Sequence, residues 1–381
     1  MKTCAILLLS VLVASCATAP VGPRPEHLFN DQLFSAPSER INADDVFALS
    51  NEMRHYLSTE IADQLRIKGL QQGLIDALYS KNLLKIEYDS ARTRNAAQTF
   101  GERTGNCLSL VIMTAALARE LGMPVGFQSV VVDETWTRSG DLYFSVGHVN
   151  LTVGKRQTNI RSSYDENALI TIDFVPPDAT RAQRSWPIAR ETVIAMYMNN
   201  RAAEALARGQ VNDAYWWVRE AITQDPNSLS SYNTLGVVYR RHGNLIEAEK
   251  VLNHALQREP ENVLVMSNLA IVLNDQGRIA EAKVLTTRVE QIQPYPAFYF
   301  FNLGQTAMQA KDFKTARDLF ARELARDAYN HEFHFWLAAA YSALGEFELS
   351  RRQLALAMDF STTRNEHDLY AAKLDRLKTY K

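Results

Sequence analysis

Proline recurs at positions 226, 260 and 294, a spacing of 34 residues. Gly209, Gly243, Gly277 and Gly345 fall on a grid of the same period, with Lys311 where a further glycine would stand. A fixed period of this length confines a segment to stacked helical hairpins, because each unit buries its apolar face only against its neighbours. Small residues then belong where two helices cross closely, large ones fill the gaps between them, and proline ends each hairpin. About five such units fit between Ala195 and Arg364, which leaves residues 365 to 381 for a polar capping helix.

The unit Tyr232, Leu235, Gly236, Tyr239, Gly243, Ala248, Leu252, Ala255 and Pro260 resembles the tetratricopeptide repeat (TPR) at nearly every diagnostic position. Its neighbours are looser: Leu269, Gly277, Ala282 and Pro294 mark one, Leu303, Gly304, Ala316 and Phe320 the next, and Leu337, Tyr341 and Gly345 the last. Gly209, Ala214, Ala221 and Pro226 mark a degenerate first unit. The resemblance implies an all-α superhelix over residues 195–381 that holds an extended peptide or protein partner on the inner face of its first helices, at Asn233, Arg240, Asn274 and Phe301. Trp216-Trp217 and the run from Tyr295 to Phe301 read as packing between helices.

A chain of 381 residues exceeds one ordinary core, so a second domain is expected ahead of the repeats. Forty-one Lys and Arg against 43 Asp and Glu leave a formal charge of -2 with no basic block, which argues against a nucleic-acid partner. The chain opens with one lysine and a short apolar stretch, too short to span a bilayer, which reads as a signal segment over residues 1–15. Val13-Ala14-Ser15-Cys16 resembles the lipobox of bacterial lipoproteins. That resemblance implies lipidation of Cys16 and anchoring at the cell envelope, and Ala17 in place of aspartate implies the periplasmic face of the outer membrane. Residues 16–40, with Pro20, Pro23, Pro25 and Pro37, read as a tether. With Cys4 removed and Cys16 modified, Cys107 is the only thiol of the mature chain and has no internal partner for a disulfide.

Between the tether and the repeats, residues 41–185 form the second domain. Val46, Leu49, Met53, Leu57, Ile61 and Leu65 recur at helical spacing and read as supporting helices. Leu108 to Leu121 is rich in Ala and Leu with no internal Pro or Gly, a helix buried on most sides. Gly105 breaks the chain before it and Asn106 is its N-cap, so Cys107 stands in the first turn, where free backbone N–H groups favour a thiolate. Past Gly122 and Pro124 the pattern turns to strand over 125–132, then over 144–153 with Val146, His148 and Asn150 on one face, then over 168–175. His148 is the only histidine between Cys107 and the repeats.

Over residues 85–180 this order resembles the transglutaminase-like superfamily, a branch of the papain-like fold: Gly105-Asn-Cys107 with its helix, then Gly147-His148-Val149, then Ile172-Asp173-Phe174. The resemblance implies an α+β papain/transglutaminase-like domain, a helix bundle plus an antiparallel sheet, followed by the all-α TPR superhelix. It also implies Cys107 as nucleophile, His148 as base and Asp173 as the group that orients His148. Asp133, Asp141 and Asp165 compete for the last role. Papain-like peptidases place a glutamine six residues before the cysteine, and here that position is Gly101, which leaves the oxyanion without its usual second donor. His331 and His334 lack a carboxylate or cysteine cluster, so no metal site and no cofactor are expected. The expected function is a lipid-anchored periplasmic thiol enzyme hydrolysing amide bonds, with the repeats docking its substrate. The rival is a non-catalytic envelope adaptor that uses the TPR groove alone.

Overall fold

The computed structural model describes residues 25–79, 84, 86–139, 142–155, 169–174 and 184–377, and over 131–146 the backbone alone. The signal segment, Cys16 and residues 16–24 of the expected tether lie outside the described residues. No helix among the described residues is long and apolar enough to cross a membrane.

The N-terminal region is mixed α/β and built around one helix. Asn106 caps it by accepting from the Ser109 N–H at 2.9 Å, and every residue from Cys107 to Ala118 is buried. This helix, Cys107–Glu120, is α5; before it come α1 (Asn51–His55, continuing through a π turn over Tyr56–Glu60), α2 (Ala62–Lys68), α3 (Leu70–Tyr79) and α4 (Ala96–Glu102). The start of α4 is fixed by a capping box, in which Asn95 and Gln98 each accept from the other's backbone N–H. A two-strand parallel ladder, β1 (Glu87–Tyr88) with β2 (Thr104–Gly105), closes the approach to α5.

The sheet has four antiparallel strands in the order β5-β4-β3-β6: β3 is Val125–Ser139, β4 Leu142–Val153, β5 Ile170–Ile172 and β6 Ser185–Ile188. Strand β4 lies against α5, and Val149, Leu151 and Val153 are buried there. Register between β3 and β4 runs from Val125 opposite Val153 to Val130 opposite His148, then shifts before Thr135. The fourth strand, β6, was not legible as one. It is a four-residue edge strand containing Pro187, and proline is tolerated in a sheet only where its missing N–H is not needed.

The rest of the described chain is an all-helical TPR array. Ten helices pair as hairpins: α6 (Arg190–Ala207) with α7 (Val211–Gln224), α8 (Leu229–His242) with α9 (Leu245–Arg258), α10 (Val263–Asp275) with α11 (Ile279–Ile292), α12 (Tyr299–Gln309) with α13 (Phe313–Leu324), and α14 (His331–Ala343) with α15 (Phe347–Asp359). Helix α16 (Arg364–Leu377) covers the end. The 34-residue grid has a direct physical meaning. Gly209, Gly243, Gly277 and Gly345 all sit in the left-handed region at the bend of a hairpin, and Lys311 takes the same conformation at φ 61°. Gly236 is required for another reason: a Cβ there would lie 2.6 Å from Leu252 of the facing helix. The apolar core of the array divides in two. One part is continuous with the N-terminal region and runs to Ala282; the other is built from Phe298, Phe301, Phe320, Phe333 and Leu337.

Residues 25–40 do not behave as a tether. They form 3-10 turns at Glu26–Leu28 and Asp31–Leu33 and lie packed on α7, α8 and α9. The Phe34 ring stacks on Tyr215 at 3.8 Å between centroids and 6° between planes, and lies 4.4 Å from His242. The Tyr239 hydroxyl donates to the Leu28 carbonyl at 2.9 Å, and Trp216 Nε1 to the Ser35 carbonyl at 2.6 Å. Proline content suggested a loose spacer, whereas Leu28, Phe29, Leu33 and Phe34 give this stretch enough apolar surface to hold it down. Trp216 and Trp217 thus do more than pack helices together: Trp216 fastens this arm, and Trp217 meets Tyr197 of α6 edge to face while donating to Glu39 at 3.1 Å.

Candidate functional site

Cys107 opens α5 and is 8% exposed. Its position is set from several directions. Gly105 can carry no side chain, since a Cβ would fall 2.8 Å from the Ser109 Cβ and 3.1 Å from Thr99 Cγ2. Ser109 Oγ accepts from the Arg94 N–H at 2.8 Å and donates to Asn106 Oδ1 at 2.9 Å, while Asn106 Nδ2 donates to Thr93 Oγ1 at 2.9 Å. Asn106 therefore caps the helix and is itself held, which fixes the backbone of the residue that follows.

A chain of bonds continues outward to the repeats. The Thr93 N–H donates to Glu204 Oε1 at 2.6 Å; Arg201 bridges Glu204 at 3.0 Å and Glu39 at 2.8 Å. Helix α6 and the N-terminal arm thereby brace the loop under the cysteine. Thr93, Glu39 and the Arg201–Glu204 pair are far apart in sequence, and nothing in the sequence pointed to them.

His148 is on β4, buried at 5% exposure, and its Nε2 lies 2.8 Å from Asp173 Oδ1. The Cys107 thiol also acts on this ring. Burial works against the charged imidazole, but the bonds to Asp173 and Cys107 outweigh it and hold His148 up at about 9. Asp173 stands one residue past the end of β5 rather than inside a strand, and two further groups hold it. Asn150 Nδ2 donates to its Oδ2 at 3.1 Å, and the Tyr79 hydroxyl donates to its carbonyl at 2.7 Å.

Cys107, His148 and Asp173 thus meet in space from a helix start, a strand and the end of a neighbouring strand. Asn150 was missed as a member of the group, although its place two residues after His148, on the same face, was the available signal. Of the competing carboxylates, the side chain of Asp133 and all of Asp141 and Asp165 lie outside the described residues. Gly101, where a glutamine would supply an oxyanion donor, is in α4 beside open space.

The residues named for a partner groove separate. Asn274 is exposed on α10. Asn233 is buried and accepts from Asn268 Nδ2 at 2.8 Å, and Arg240 is held by Asp275 at 2.6 Å. Phe301 is not a groove residue: it is fully buried between Phe298, Phe320, Phe333 and Trp336, because α12 turns this position into the second apolar core. His331 bonds to the Tyr370 hydroxyl at 2.8 Å, and His334 bonds to Gln353 and to the Ala328 carbonyl. Both tie the last repeats together, and no group of three metal-ligating side chains is found among the described residues.

Tetratricopeptide repeat families match residues 228–258, 263–285 and 301–362. No curated protein matches the chain. Among solved structures it is similar to PilF of Pseudomonas aeruginosa, with 21% identity over 49% of this chain and 93% of that one and a TM-score of 0.28. It is also similar to a thermophilic TPR protein of Thermus thermophilus, with 17% identity over 47% and 98% and a TM-score of 0.30. A third is MamA of Desulfovibrio magneticus RS-1, with 15% identity over 45% and 96% and a TM-score of 0.26. The TPR repeats imply protein partners.

Proposed function

We propose that this protein is a transglutaminase-like thiol enzyme that hydrolyses amide bonds, with the TPR array docking its protein or peptide substrate. The observation that carries this reading is the placement of His148 between the Cys107 thiol and the Asp173 carboxylate. In such an arrangement the sulfur attacks the amide carbon, the tetrahedral intermediate collapses, and His148 gives its proton to the departing amine. The acyl-thioester left on Cys107 is then opened by water, activated by the now neutral His148. Asp173, oriented by Asn150, fixes which imidazole nitrogen faces the sulfur. Hydrolysis is favoured over cross-linking because no acceptor-amine site was found in the sequence and water is always present.

The test is alkylation of Cys107 by iodoacetamide at neutral pH. The enzyme reading requires a rate well above that of a free thiol, and Cys107→Ala must remove both the labelling and any peptide turnover. A rate at or below the free-thiol value sinks the reading. The second reading, a non-catalytic adaptor, is supported by the family matches falling only on the repeats, and it requires no fast thiol.

We further propose that Cys16 carries a lipid that anchors the chain at the periplasmic face of the outer membrane; the motif Val13-Ala14-Ser15-Cys16 supports this. With Cys16→Ala the protein is expected to move from the membrane fraction to the soluble fraction. Retention in the membrane fraction would overturn the anchor.

A further inference from the structure

In a repeat array the second helix of each hairpin is covered by the first helix of the next, and here α7 packs on α8, α9 on α10 and α13 on α14. One junction departs from the rule. Helices α11 and α12 have almost no contact, and of the residues of α11 only Ala282 is buried. The 34-residue period identifies what is left uncovered. Leu303 of α12 is 43% exposed, whereas its counterparts Leu235, Leu269 and Leu337 are at most 4% exposed. One turn on, Thr306 is exposed where Val238, Val272 and Ala340 are buried. On the opposite side Val289 of α11 is half-buried where Ala221, Ala255, Glu323 and Ala357 are buried. Helix α12 keeps its hairpin partner α13 and its place in the second apolar core, so the neighbour it lacks is α11.

The sequence accounts for the departure. Ser228, Asn262 and Asn330 stand immediately before α8, α10 and α14, and the equivalent position before α12 is Pro296, which has no side-chain cap to offer. Helices α8, α10 and α14 begin at 229, 263 and 331, so the period places the start of α12 at 297, but it begins at Tyr299. Phe298 takes the left-handed conformation at φ 63°, unusual for a bulky residue, and is buried against Phe301 and Phe333. Glu323 of α13 supplies the missing cap: its Oε2 accepts from the Phe300 and Phe301 N–H groups at 2.8 and 3.2 Å. Arg326 donates to the Tyr295 and Pro296 carbonyls at 2.7 and 3.2 Å. Residues 295–301 are thus fastened to the last repeats, and the chain passes from one half of the array to the other through Gln293 and Pro294.

We infer that the array is two blocks, 190–292 and 295–377, which swing about Gln293-Pro294 between the open arrangement described above and a closed one. In the closed arrangement the face of α12 carrying Leu303 and Thr306 covers α11 at Val289, as the period dictates for every other junction. Both halves of that interface are present in one chain, and a two-residue connection holds them at high effective concentration, so closure within the chain wins over pairing with a second copy. A partner that touches the first helices of both blocks binds the closed form better and draws the equilibrium toward it. This device stands apart from the thiol and does not depend on the enzyme reading.

Amide hydrogen exchange in the full chain tests it. Leu303→Asp puts a charge on a side chain that already meets water in the open form but is buried in the closed one. Exchange over α11 is expected to quicken about tenfold in this variant, although the substitution lies in the other block, while α13 and α14 exchange as before. Val289→Asp is the reciprocal test and should quicken exchange over α12, and Leu303→Met should change neither helix. If α11 exchanges at the same rate in Leu303→Asp as in the unmodified chain, the seam does not close and the inference is overturned. Should Leu303→Asp also quicken α13 and α14, it has damaged its own block, and Val289→Asp then decides: an unchanged α12 overturns closure. Protection of α11 that grows with protein concentration overturns it too, since a second copy would then be the cover.

Discussion

Replacing His148 by alanine is expected to cut the rate of Cys107 alkylation at pH 6 by about two orders of magnitude. A positioned base that takes up the nucleophile's proton is worth about 10²–10⁴ in rate, and the His148 ring is the base proposed for that role. His148 is held at about 9 because its bonds to Asp173 and Cys107 outweigh the burial that opposes its charge, so the imidazole remains protonated throughout the neutral range. The pH profile gives the sign. With His148 present, alkylation should vary little between pH 6 and 8; with His148→Ala it should rise with pH over the same range. The charged imidazole also stabilises the fold. Its value is raised on folding, so this contribution is complete below about pH 6.5 and is lost as pH rises through about 9. The melting temperature should consequently drop more between pH 7 and 10 in the unmodified chain than in His148→Ala. Parallel alkylation profiles for the two proteins would mean that the imidazole does not hold the thiol's proton.

The parts of the fold that could be read from sequence are those in which one local rule suffices. The 34-residue grid works because a hairpin bend needs one left-handed residue per unit, and even Lys311, the exception to glycine, takes that conformation. The start of α5 was legible because Asn106 and Gly105 are specific to a helix entry, and the face of β4 carrying His148 and Asn150 followed from alternation alone. Features that depend on segments remote in sequence were not legible. Tyr88 is brought opposite Gly105 only by a two-residue parallel ladder, too short to leave a pattern. Glu204 and Arg201 look like ordinary polar helix positions until α6 is seen to brace the loop at Thr93. Phe301 was misplaced because a repeat position fixes which side of a helix a residue occupies, not whether the next helix covers that side. In the last repeats a cluster of aromatic rings does so.

Truncating Phe34 to alanine is expected to cost about 3–5 kcal/mol in the stability of the arm and of the first repeats. The ring is 7% exposed and lies flat on Tyr215, with Tyr239 and His242 around it, so its removal leaves a cavity that flat aromatic neighbours refill poorly. The loss spreads because the same two tyrosines hold the arm by hydrogen bonds: Tyr215 donates to Asp31 Oδ1 at 2.6 Å and accepts from the Asn30 N–H at 3.0 Å, while Tyr239 holds the Leu28 carbonyl. Amide exchange over residues 28–40 should accelerate strongly in Phe34→Ala, and the first thermal transition should move down. A tether with no structural part would show neither change. The variant also separates bracing from chemistry. Glu39 lies five residues beyond Phe34 and reaches the site through Arg201 and Glu204, but the bond from the Thr93 N–H to Glu204 does not involve the arm. Alkylation of Cys107 in the folded variant should therefore fall by less than tenfold, far less than in His148→Ala. The arm's work is to close the outer face of the first hairpins, whose apolar rings would otherwise face water, and the thiol depends on it only through that loop.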